Sequence, residues 1–363
     1  MVRRIASFIA SILLATSAFS DEPKQPGRKL RVGIIAPMTG AISTWGVSVR
    51  NAIEEANKYS GQPADLFFED EESCNPSKTL TAFNYLSAER KVDVLVASCL
   101  EGAQAIAPLA KRAGIPFFIS GRSSKDFQTR YPHALSWLSL LDSEGQAITG
   151  LIKEKGWKRG AALVWDGYFG VQFAHGIQSA LREQQVVFDL DVIETQQNST
   201  PGGGEVQRIL RGRPEVLFLF HSEPAAAFVV KQLRALHYSG AIVLQSSMLQ
   251  TYDPKVRATF SGALQVKFPV DELEFQRLHS LLKEKQGEDV ADDFVFSYDG
   301  FRALLSEAAL CEKAQAPSFE ACLTNRLRNE TWREGASGRF RFMKDGSTER
   351  PMLFKVITEE GLK

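Results

Sequence analysis

The sequence has no excess of either charge sign. Its 43 basic residues (Lys and Arg) equal its 43 acidic residues (Asp and Glu) in number. This balance argues against nucleic acid or an anionic membrane as the main partner, because both attract strongly basic surfaces. A disordered chain would be less apolar than this one, in which 44% of residues are hydrophobic. Because domains average roughly 150 residues, the 363 residues predict two folded domains.

The motifs of nucleotide-binding proteins and of common hydrolases are also absent from the sequence. No glycine-rich dinucleotide loop follows the first predicted strand, and no phosphate-binding Gly-x-x-x-x-Gly-Lys pattern occurs. The triplet Gly202-Gly203-Gly204 lies in a polar stretch, where we predict a flexible turn. Gly121-Arg122-Ser123 lacks the closing glycine of a nucleophile elbow. We therefore expect a binding protein without a cofactor, with an exported α/β enzyme as an alternative.

The first twenty residues differ in character from the rest of the chain. Arg3 and Arg4 give a short basic start, and residues 5–19 carry no charge. Ala18 and Ser20 then place small residues where a signal peptidase reads the chain. We predict a secretory signal peptide over residues 1–20, a polar linker over 21–29, and export to the periplasm. A membrane anchor is the alternative, but this uncharged run is shorter than the ~20 residues that span a bilayer.

Export changes how the four cysteines are interpreted. Cys74, Cys99, Cys311 and Cys322 form an even set, and an exported chain meets an oxidising compartment. We expect two structural disulfides, with buried free thiols as the alternative, and spacing alone does not choose among the three pairings. A metal site is disfavoured, since no Cys-x-x-Cys pair occurs and the five histidines are scattered. We expect His221, at a predicted strand end, to be a hydrogen-bonded structural residue.

From Leu30 onwards, short apolar runs alternate with segments of helical periodicity. The predicted strands are Leu30–Ala36, 65–69, 92–97, 115–119, 160–165, 186–193, 216–220 and 241–244. The predicted helices are 47–59, 78–88, 103–112, 143–155, 169–183, 224–236, 271–286 and 294–311. Strands that alternate with helices of this length predict parallel sheets, because parallel neighbours need a long crossover. The pattern indicates an α/β protein with doubly wound parallel sheets.

A break without a helix at residues 138–143 divides the alternation into two series. We predict a first lobe of residues 30–140 plus 270–336 and a second of 141–269 plus 337–363. Three hinge crossovers would then lie near 139–143, 266–270 and 335–338. In the tail, residues 338–343 and 352–358 alternate like strands around Lys344-Asp345-Gly346, which predicts a hairpin. Two such lobes bind ligands in the cleft between them, at the carboxyl ends of their strands.

Several segments, taken in order, carry a resemblance to a known family. They are Ile35-Ala-Pro-Met-Thr-Gly40, Trp45-Gly46, Phe68-Glu-Asp70, Cys74-Asn-Pro76, Val94–Cys99, Gly114–Gly121 and Tyr298-Asp299. Together they resemble the leucine/isoleucine/valine-binding protein family, which comprises periplasmic receptors of ABC transporters with a type I periplasmic-binding fold. The likeness covers most of the mature chain and is strongest over residues 30–130. Family members close this loop with a disulfide, so the resemblance selects Cys74–Cys99 and leaves Cys311–Cys322.

The resemblance also implies ligand-binding residues in the first lobe. Trp45 matches an aromatic residue that covers the ligand in amino-acid-binding members. The hydroxyl residue expected after Cys99 is replaced by Leu100-Glu101-Gly102. A second hydroxyl position is kept as Ser123, preceded by Gly121 and by Arg122, where a small residue would be usual.

In the second lobe, the resemblance places the clamping aromatic at Tyr168-Phe169. The acid that neutralises the ligand ammonium would fall near Ser246-Ser247, and it is missing. Glu223, at another strand end, could substitute for it. A ligand ammonium without this acid would be poorly compensated, since burying an unpaired charge costs several kcal/mol.

Arg122 is the most informative departure, because its planar fork suits a carboxylate. A hinge or surface salt bridge is the alternative role. We expect the cleft to bind a ligand that has a carboxylate and a flat or apolar body. An amino acid whose ammonium is held by Glu101 or Glu223 is the alternative ligand. The expected partners are this small molecule and an ABC permease in the inner membrane, with the receptor a monomer. A sensor that signals to a receptor protein is the alternative function.

Overall fold

Two sheets of mainly parallel strands lie at the centre of the protein. The structure is a computed structural model, and it describes residues 28–40, 42–196, 201–248, 254–287 and 290–358. The predicted signal peptide and most of the predicted linker lie outside the described residues. The alternation of strands and helices confirms the predicted doubly wound α/β class.

The first third of the described chain builds a five-stranded parallel sheet with helices on both faces. Its strands are β1 Leu30–Ala36, β2 Ala64–Asp70, β3 Val94–Ala97, β4 Phe117–Ile119 and β5 Leu135–Ser136. Its helices are α1 Ser43–Tyr59, α2 Pro76–Asn84 with a π-helical turn over Tyr85–Glu89, α3 Leu100–Arg112 and α4 Lys125–Arg130. The order is β2-β1-β3-β4-β5. Both faces of the central strands are buried, which is why β3 and β1 after Arg31 are continuous apolar runs rather than alternating ones.

The middle of the chain repeats this plan in a second sheet. Its strands are β6 Arg159–Trp165, β7 Asp189–Thr195, β8 Val216–Phe220, β9 Ala241–Leu244 and β10 Leu264–Lys267. Its helices are α5 Leu141–Lys155, α6 Tyr168–Glu183, α7 Gly203–Gly212, α8 Glu223–Ala235 and α9 Pro254–Thr259. Leu217, Phe218 and Val243 are fully buried in a separate hydrophobic core. Each sheet therefore has its own core, as two lobes require.

The last part of the chain returns to the first sheet and then ends on the second. It forms α10 Glu272–Gln286, α11 Phe294–Lys313, α12 Phe319–Leu327, β11 Arg333–Gly335, β12 Gly338–Phe342, β13 Thr348–Glu349 and β14 Leu353–Val356. α10 and α11 pack on α1. β14 pairs antiparallel with β10, so the second sheet has the order β14-β10-β9-β8-β6-β7.

The tail differs from its prediction in two respects. The hairpin around Lys344-Asp345-Gly346 joins β12 to β13, and β14 pairs with the second sheet instead of with β12. We expected the third passage between the sheets near residues 335–338. It lies further along the chain, between β13 and β14. The reason is packing, because Phe340 and Phe342 are buried in the core of the first sheet.

The glycine triplet was also interpreted incorrectly. Gly203 and Gly204 begin α7 instead of forming a flexible turn, and Gly202 precedes the helix. The backbone N–H of Gly202 donates to Glu205 Oε2 at 2.8 Å, which ties the loop to the first turn. A helix can therefore start from glycines when the following residues provide an apolar face, here Val206 and Ile209.

Both disulfides have the pairing that the resemblance selected. Cys74 is bonded to Cys99 with a Cα–Cα distance of 5.4 Å, and Cys311 to Cys322 with 5.9 Å. The first joins the loop after β2 to the loop after β3, at the carboxyl ends of the strands of the first sheet. Within the described ranges, no helix is long and apolar enough to cross a bilayer.

Candidate functional site

The strand orders alone locate the candidate site. In the first sheet the order reverses between β1 and β3, and in the second sheet between β6 and β8. Ligands of doubly wound folds bind outside the carboxyl ends of the strands at such reversals. The helices that follow these four strands carry in their first turns Trp45, Leu100–Gly102, Tyr168 and Glu223. The topology therefore leads to the helix starts where these predicted site residues lie.

Loops of the two lobes meet through the aromatic residues at the start of α6. The Tyr168 hydroxyl lies 2.8 Å from the Ser124 hydroxyl of the first lobe. Tyr168 and Phe169 also pack against the buried cluster between the first sheet and α3, which includes Phe127. Both aromatic residues are half-buried. The second lobe thus reaches across the cleft at this point.

Trp45 lies in the first turn of α1, which follows β1 at the switch point of the first sheet. It is half-buried and packs against the core of the first sheet. An added Cβ at Gly121 would lie 3.3 Å from Trp45 Cη2 and would overlap the carbonyl oxygen of Ser98. Only a glycine allows the loop after β4 to approach so closely. Trp45 and Gly121 are therefore neighbours, as expected for two residues at one end of the sheet.

Arg122 does not present an open guanidinium fork. Its Nη1 donates to Glu144 Oε1 at 2.5 Å, and its Nη2 donates to the Ser246 hydroxyl. The side chains of Arg122 and Glu144 are 5% and 0% exposed, so this is a fully buried ion pair. The guanidinium also lies 5.4 Å from the ring centre of Phe268. Glu144 lies in the first turn of α5, which packs on α6 of the second lobe. The geometry therefore favours the hinge salt bridge that we named as the alternative.

Glu144 is held by more than the arginine. Gln245 Nε2 donates to Glu144 Oε1 at 2.8 Å, the Ser246 hydroxyl donates to the same atom at 2.7 Å, and the Ser246 N–H donates to Oε2 at 3.2 Å. The desolvation of a buried carboxylate is offset only when its oxygens are satisfied in this way. Ser247 contacts the same group, because its N–H donates to Gln245 Oε1 at 2.8 Å. The two serines near which the family's acid was expected therefore belong to this network.

A second buried arginine joins the crossovers. Arg350 Nη2 donates to the carbonyl oxygen of Trp137 at 3.0 Å, and Nη1 donates to the Ser337 hydroxyl at 2.6 Å. Its guanidinium lies between two aromatic rings, 4.6 Å from Phe296 and 4.5 Å from Phe340. Burial lowers the pKa of Arg350 to about 9, although the charge of Asp299 opposes this shift. This side chain connects the first and third passages between the lobes.

The segment after Cys99 forms the first turn of α3, and its three residues have different environments. Leu100 is fully buried in the core, so only its backbone can reach a ligand. Gly102 also faces inwards, because an added Cβ would lie 2.7 Å from Glu71 Oε2. Glu101 is half-buried, and burial raises the pKa of its carboxyl group.

The other predicted residues also differ in what they can offer. Ser123 is fully buried, and its hydroxyl has no hydrogen-bond partner among the described residues. Glu223 is half-buried in the first turn of α8. His221 is buried and, as expected, hydrogen-bonded, with Nε2 2.9 Å from the Thr195 hydroxyl and Nδ1 accepting from the Ser222 N–H at 2.8 Å. Burial lowers the pKa of His221, which favours the neutral imidazole.

Sequence comparison then assigns the family. A family model described as periplasmic binding protein matches residues 29–361. The chain belongs to the periplasmic binding protein family. No curated protein sequence matches it at a significant level.

Solved structures with this fold include receptors for different solutes. A leucine-binding protein from Thermotoga maritima superposes on this periplasmic binding protein with a TM-score of 0.76 and 18% identity, over 92% of this chain and 97% of the other. A solute-binding protein of an ABC transporter from Rhodopseudomonas palustris, in complex with p-hydroxybenzoic acid, gives 0.80 and 16% over 92% and 95%. A second from R. palustris, in complex with benzoate, gives 0.74 and 16% over 93% and 95%. At these identities the likeness establishes the fold alone.

Two features of this periplasmic binding protein had no signal in its sequence. Glu144 is one of several acidic residues in an amphipathic helix, and nothing in the pattern indicates that it faces Arg122. Arg350 lies in a charged stretch beside Glu349, which is typical of an exposed loop. Within the described residues, no group of three or more His, Cys, Asp or Glu could hold a metal ion.

Proposed function

We propose that this periplasmic binding protein captures a carboxylate solute with a flat or apolar body and passes it to an ABC permease. One observation carries the proposal. Aromatic side chains that follow the switch-point strands of both lobes reach the loop after β4, because Trp45 lies beside Gly121 and the Tyr168 hydroxyl contacts the Ser124 hydroxyl, with Phe169 next to Tyr168. Ligand sites are mostly apolar, with a few polar groups that fix orientation. The predicted signal peptide supports capture in the periplasm.

The aromatic residues support a flat ligand body. Trp45 is held against the first core, whereas Tyr168 and Phe169 belong to the second lobe. Their rings are 6.2 Å apart with an interplanar angle of 87°, an edge-to-face pair. Rings fixed in this way offer large apolar area at a small entropy cost. An aromatic ring placed between the lobes would contact both of them, which favours the closed state.

Neutral donors of the first lobe are the proposed partners of the carboxylate. Ser123 offers a buried hydroxyl, and the first-turn N–H groups of α3 have no acceptor within the helix. Carboxylates are stabilised at such helix starts. Arg122 takes a different part in this proposal, because its terminal nitrogens already contact Glu144 and Ser246. We assign it to the hinge, where it links the lobes.

An aromatic acid fits this arrangement better than an amino acid. The resemblance places the family's ammonium-binding acid near Ser246 and Ser247, and neither residue carries a charge. The structures from R. palustris that contain p-hydroxybenzoic acid and benzoate make such acids the first ligands to test.

The test is equilibrium binding of 4-hydroxybenzoate, benzoate, L-leucine and L-phenylalanine, followed by calorimetry and thermal melts. We expect an aromatic acid to bind, and at 100 times its Kd to stabilise the protein by about 2.7 kcal/mol. Trp45→Ala should weaken binding through lost stacking. Trp332→Ala is the matched control, because Trp332 is also half-buried but stacks with Arg339 (4.5 Å) beyond the cleft.

Two outcomes would contradict the proposal. If the amino acids bind more tightly than every acid, the protein is an amino-acid receptor. If an acid binds equally to wild type and Trp45→Ala, it occupies another site. Small-angle scattering completes the test, since closure on the ligand should reduce the radius of gyration.

A further inference from the structure

Beneath the first turn of α3 lies a carboxyl group that the proposed ligand contacts do not use. Glu71 follows β2 and is 0% exposed. Its Oε1 accepts a hydrogen bond from the Cys99 N–H at 3.2 Å, and its Oε2 lies 2.6 Å from Thr79 Oγ1. In the described part of the chain, no Lys, Arg or His forms an ion pair with Glu71. A fully buried carboxylate without a cation is unfavourable by several kcal/mol, and such groups hold a proton instead.

The hydrogen bonds of Thr79 also favour a proton on Glu71. The Thr79 hydroxyl lies within hydrogen-bonding distance of two acceptors, Glu71 Oε2 at 2.6 Å and the Asn75 carbonyl oxygen at 3.0 Å. A hydroxyl has only one hydrogen, so it cannot donate to both. A protonated Glu71 would donate to Thr79, and Thr79 would then donate to Asn75. Both contacts are hydrogen bonds only when the acid is neutral, or when Thr79 shares its hydrogen between them.

The charges around Glu71 are mainly negative. Glu101, in the first turn of α3, raises the proton affinity of Glu71, and the Glu101 Oε2 atom is buried without a partner among the described residues. Asp70, at the end of β2, raises the proton affinity of Glu71 in the same direction, and the other charged groups close to it in the following loop and in α2 are Glu72 and Lys78. Lys78 is paired with Glu72 at 3.0 Å and both are exposed, so its charge is already compensated. The Cys74–Cys99 disulfide beside them does not titrate.

We propose that Glu71 and Glu101 form a proton-linked carboxyl pair, which retains one proton near neutral pH. The average number of protons on the pair rises when a carboxylate solute binds at the α3 end of the cleft. The proposal rests on the proposed function for the position of the solute. Glu71 acts through Glu101 and the first turn of α3, so it is a positioning residue. Burial raises the pKa of Glu71 to about 7, in agreement with the geometry.

The helix start explains why one proton is retained. The N-terminus of a helix provides a partial positive charge of about half a unit, which favours one nearby anion. A second carboxylate in the same turn gains little from it and repels the first. A bound solute anion adds a further negative charge, so it raises the proton affinity of the pair. Affinity for an acid should therefore fall as the pH rises through 7. A ligand that presents its ammonium group to the pair would show the opposite trend.

The first experiment uses the protein without ligand. Glutamate carboxyl carbons are labelled with ¹³C and titrated by NMR in wild type, Glu71→Gln and the matched control Glu72→Gln. We expect one carboxyl resonance to titrate near pH 7, to persist in Glu72→Gln, and to disappear only in Glu71→Gln. If every glutamate titrates below about pH 5.5, within the ordinary range, the pair does not retain a proton and the inference is wrong.

The second experiment measures the coupling to binding. Calorimetry with 4-hydroxybenzoate at about pH 6, 7 and 8, in buffers of different ionisation enthalpy, counts the protons taken up. We expect uptake of up to one proton and a loss of affinity of up to ~10-fold per pH unit above 7. Glu71→Gln should flatten this profile while keeping the affinity at about pH 6, whereas a purely structural defect would lower affinity at every pH.

The outcomes separate this inference from the proposed function. Proton release, or a wild-type profile that does not change with pH, would overturn the coupling even though the acid binds. If 4-hydroxybenzoate gives no heat at all, the proposed function fails for this solute, and the ligand-free titration then decides the protonation of the pair.

Discussion

The buried ion pair between Arg122 and Glu144 allows a strong test of how the lobes are joined. Replacing Arg122 with Met keeps most of the side-chain length but removes its contacts to Glu144 Oε1 and to the Ser246 hydroxyl. Glu144 is then an anion with 0% exposure and no cation beside it. Breaking a buried pair in this way costs about 3–5 kcal/mol, mainly because the remaining charge stays desolvated.

A double-mutant cycle separates this penalty from the net contribution of the pair. Arg122→Met and Glu144→Leu should each destabilise the protein strongly, whereas the double variant should recover much of the loss, because buried pairs replaced by apolar residues are often neutral. We expect a coupling energy between about 0.5 and 3 kcal/mol. The exposed pair Arg130–Asp126, four residues apart in α4, is the control and should contribute less than about 0.5 kcal/mol.

Urea unfolding followed by both circular dichroism and tryptophan fluorescence is the assay. Coincident transitions justify a two-state analysis, which a two-lobed protein need not obey. The explanation is refuted if Arg122→Met costs no more than Arg130→Met. It is also refuted if the two single losses simply add, since the residues then do not interact in solution.

Three further predictions concern other parts of the molecule. Burial raises the pKa of Glu71 to about 7 in the folded protein, against an ordinary 4.5, so Glu71 destabilises the fold increasingly as the pH rises between these values. Glu71→Gln should remove this slope of about 1.4 kcal/mol per pH unit in pH-dependent melts. An unchanged slope would contradict the assignment. Replacing Cys311 and Cys322 with serine opens a short loop and should cost about 3 kcal/mol in urea unfolding, whereas a loss below about 1 kcal/mol would show that the loop is constrained by packing alone. Gly121→Ala should destabilise the protein in the same melts, because its Cβ would overlap the carbonyl oxygen of Ser98. Gly150→Ala, on the open face of α5, should stabilise it by about 0.5–1 kcal/mol. Equal effects of the two variants would refute the close approach of Gly121 to Ser98.

The sequence predicted the long buried elements best. The bounds of β1 and β8 agree with the structure at both ends, because a buried parallel strand is a mainly apolar run bounded by polar residues or proline. Several helix starts were placed too late, and at two of them no polar capping residue marks the start. α1 and α5 begin after Ile42 and Leu140, neither of which caps the helix through its side chain.

Short elements were missed for a different reason. β5 has two residues, and α4 and α9 have six each, so none of these is long enough to show a period, and the four-residue β10 was missed as well. Their conformation depends on neighbours that are distant in sequence. β10, for example, is fixed between β9 and β14, and β14 begins at Leu353. A local pattern contains no information about that pairing.

The candidate site shows the same division between local and distant information. The resemblance predicted site residues in segments that follow recognisable strands, and both disulfide pairings agree with it. The environment of each side chain depends on partners elsewhere in the chain. Leu100 and Gly102 face the core, although they lie in the predicted segment. Arg122 meets Glu144 only because the chain crosses to the second lobe between them.

The charges at the cleft therefore have a different distribution from the one that the sequence suggests. Taken residue by residue, the loops present Arg122 as a cation and Glu71 and Glu101 as anions. In the folded protein, Glu144 neutralises Arg122, and burial favours a neutral Glu71. Hydroxyl and backbone N–H groups then remain to recognise a solute, and such donors are most effective in a site from which water is excluded. Under the proposed function, closure of the lobes would supply that exclusion, so recognition and hinge motion would depend on each other.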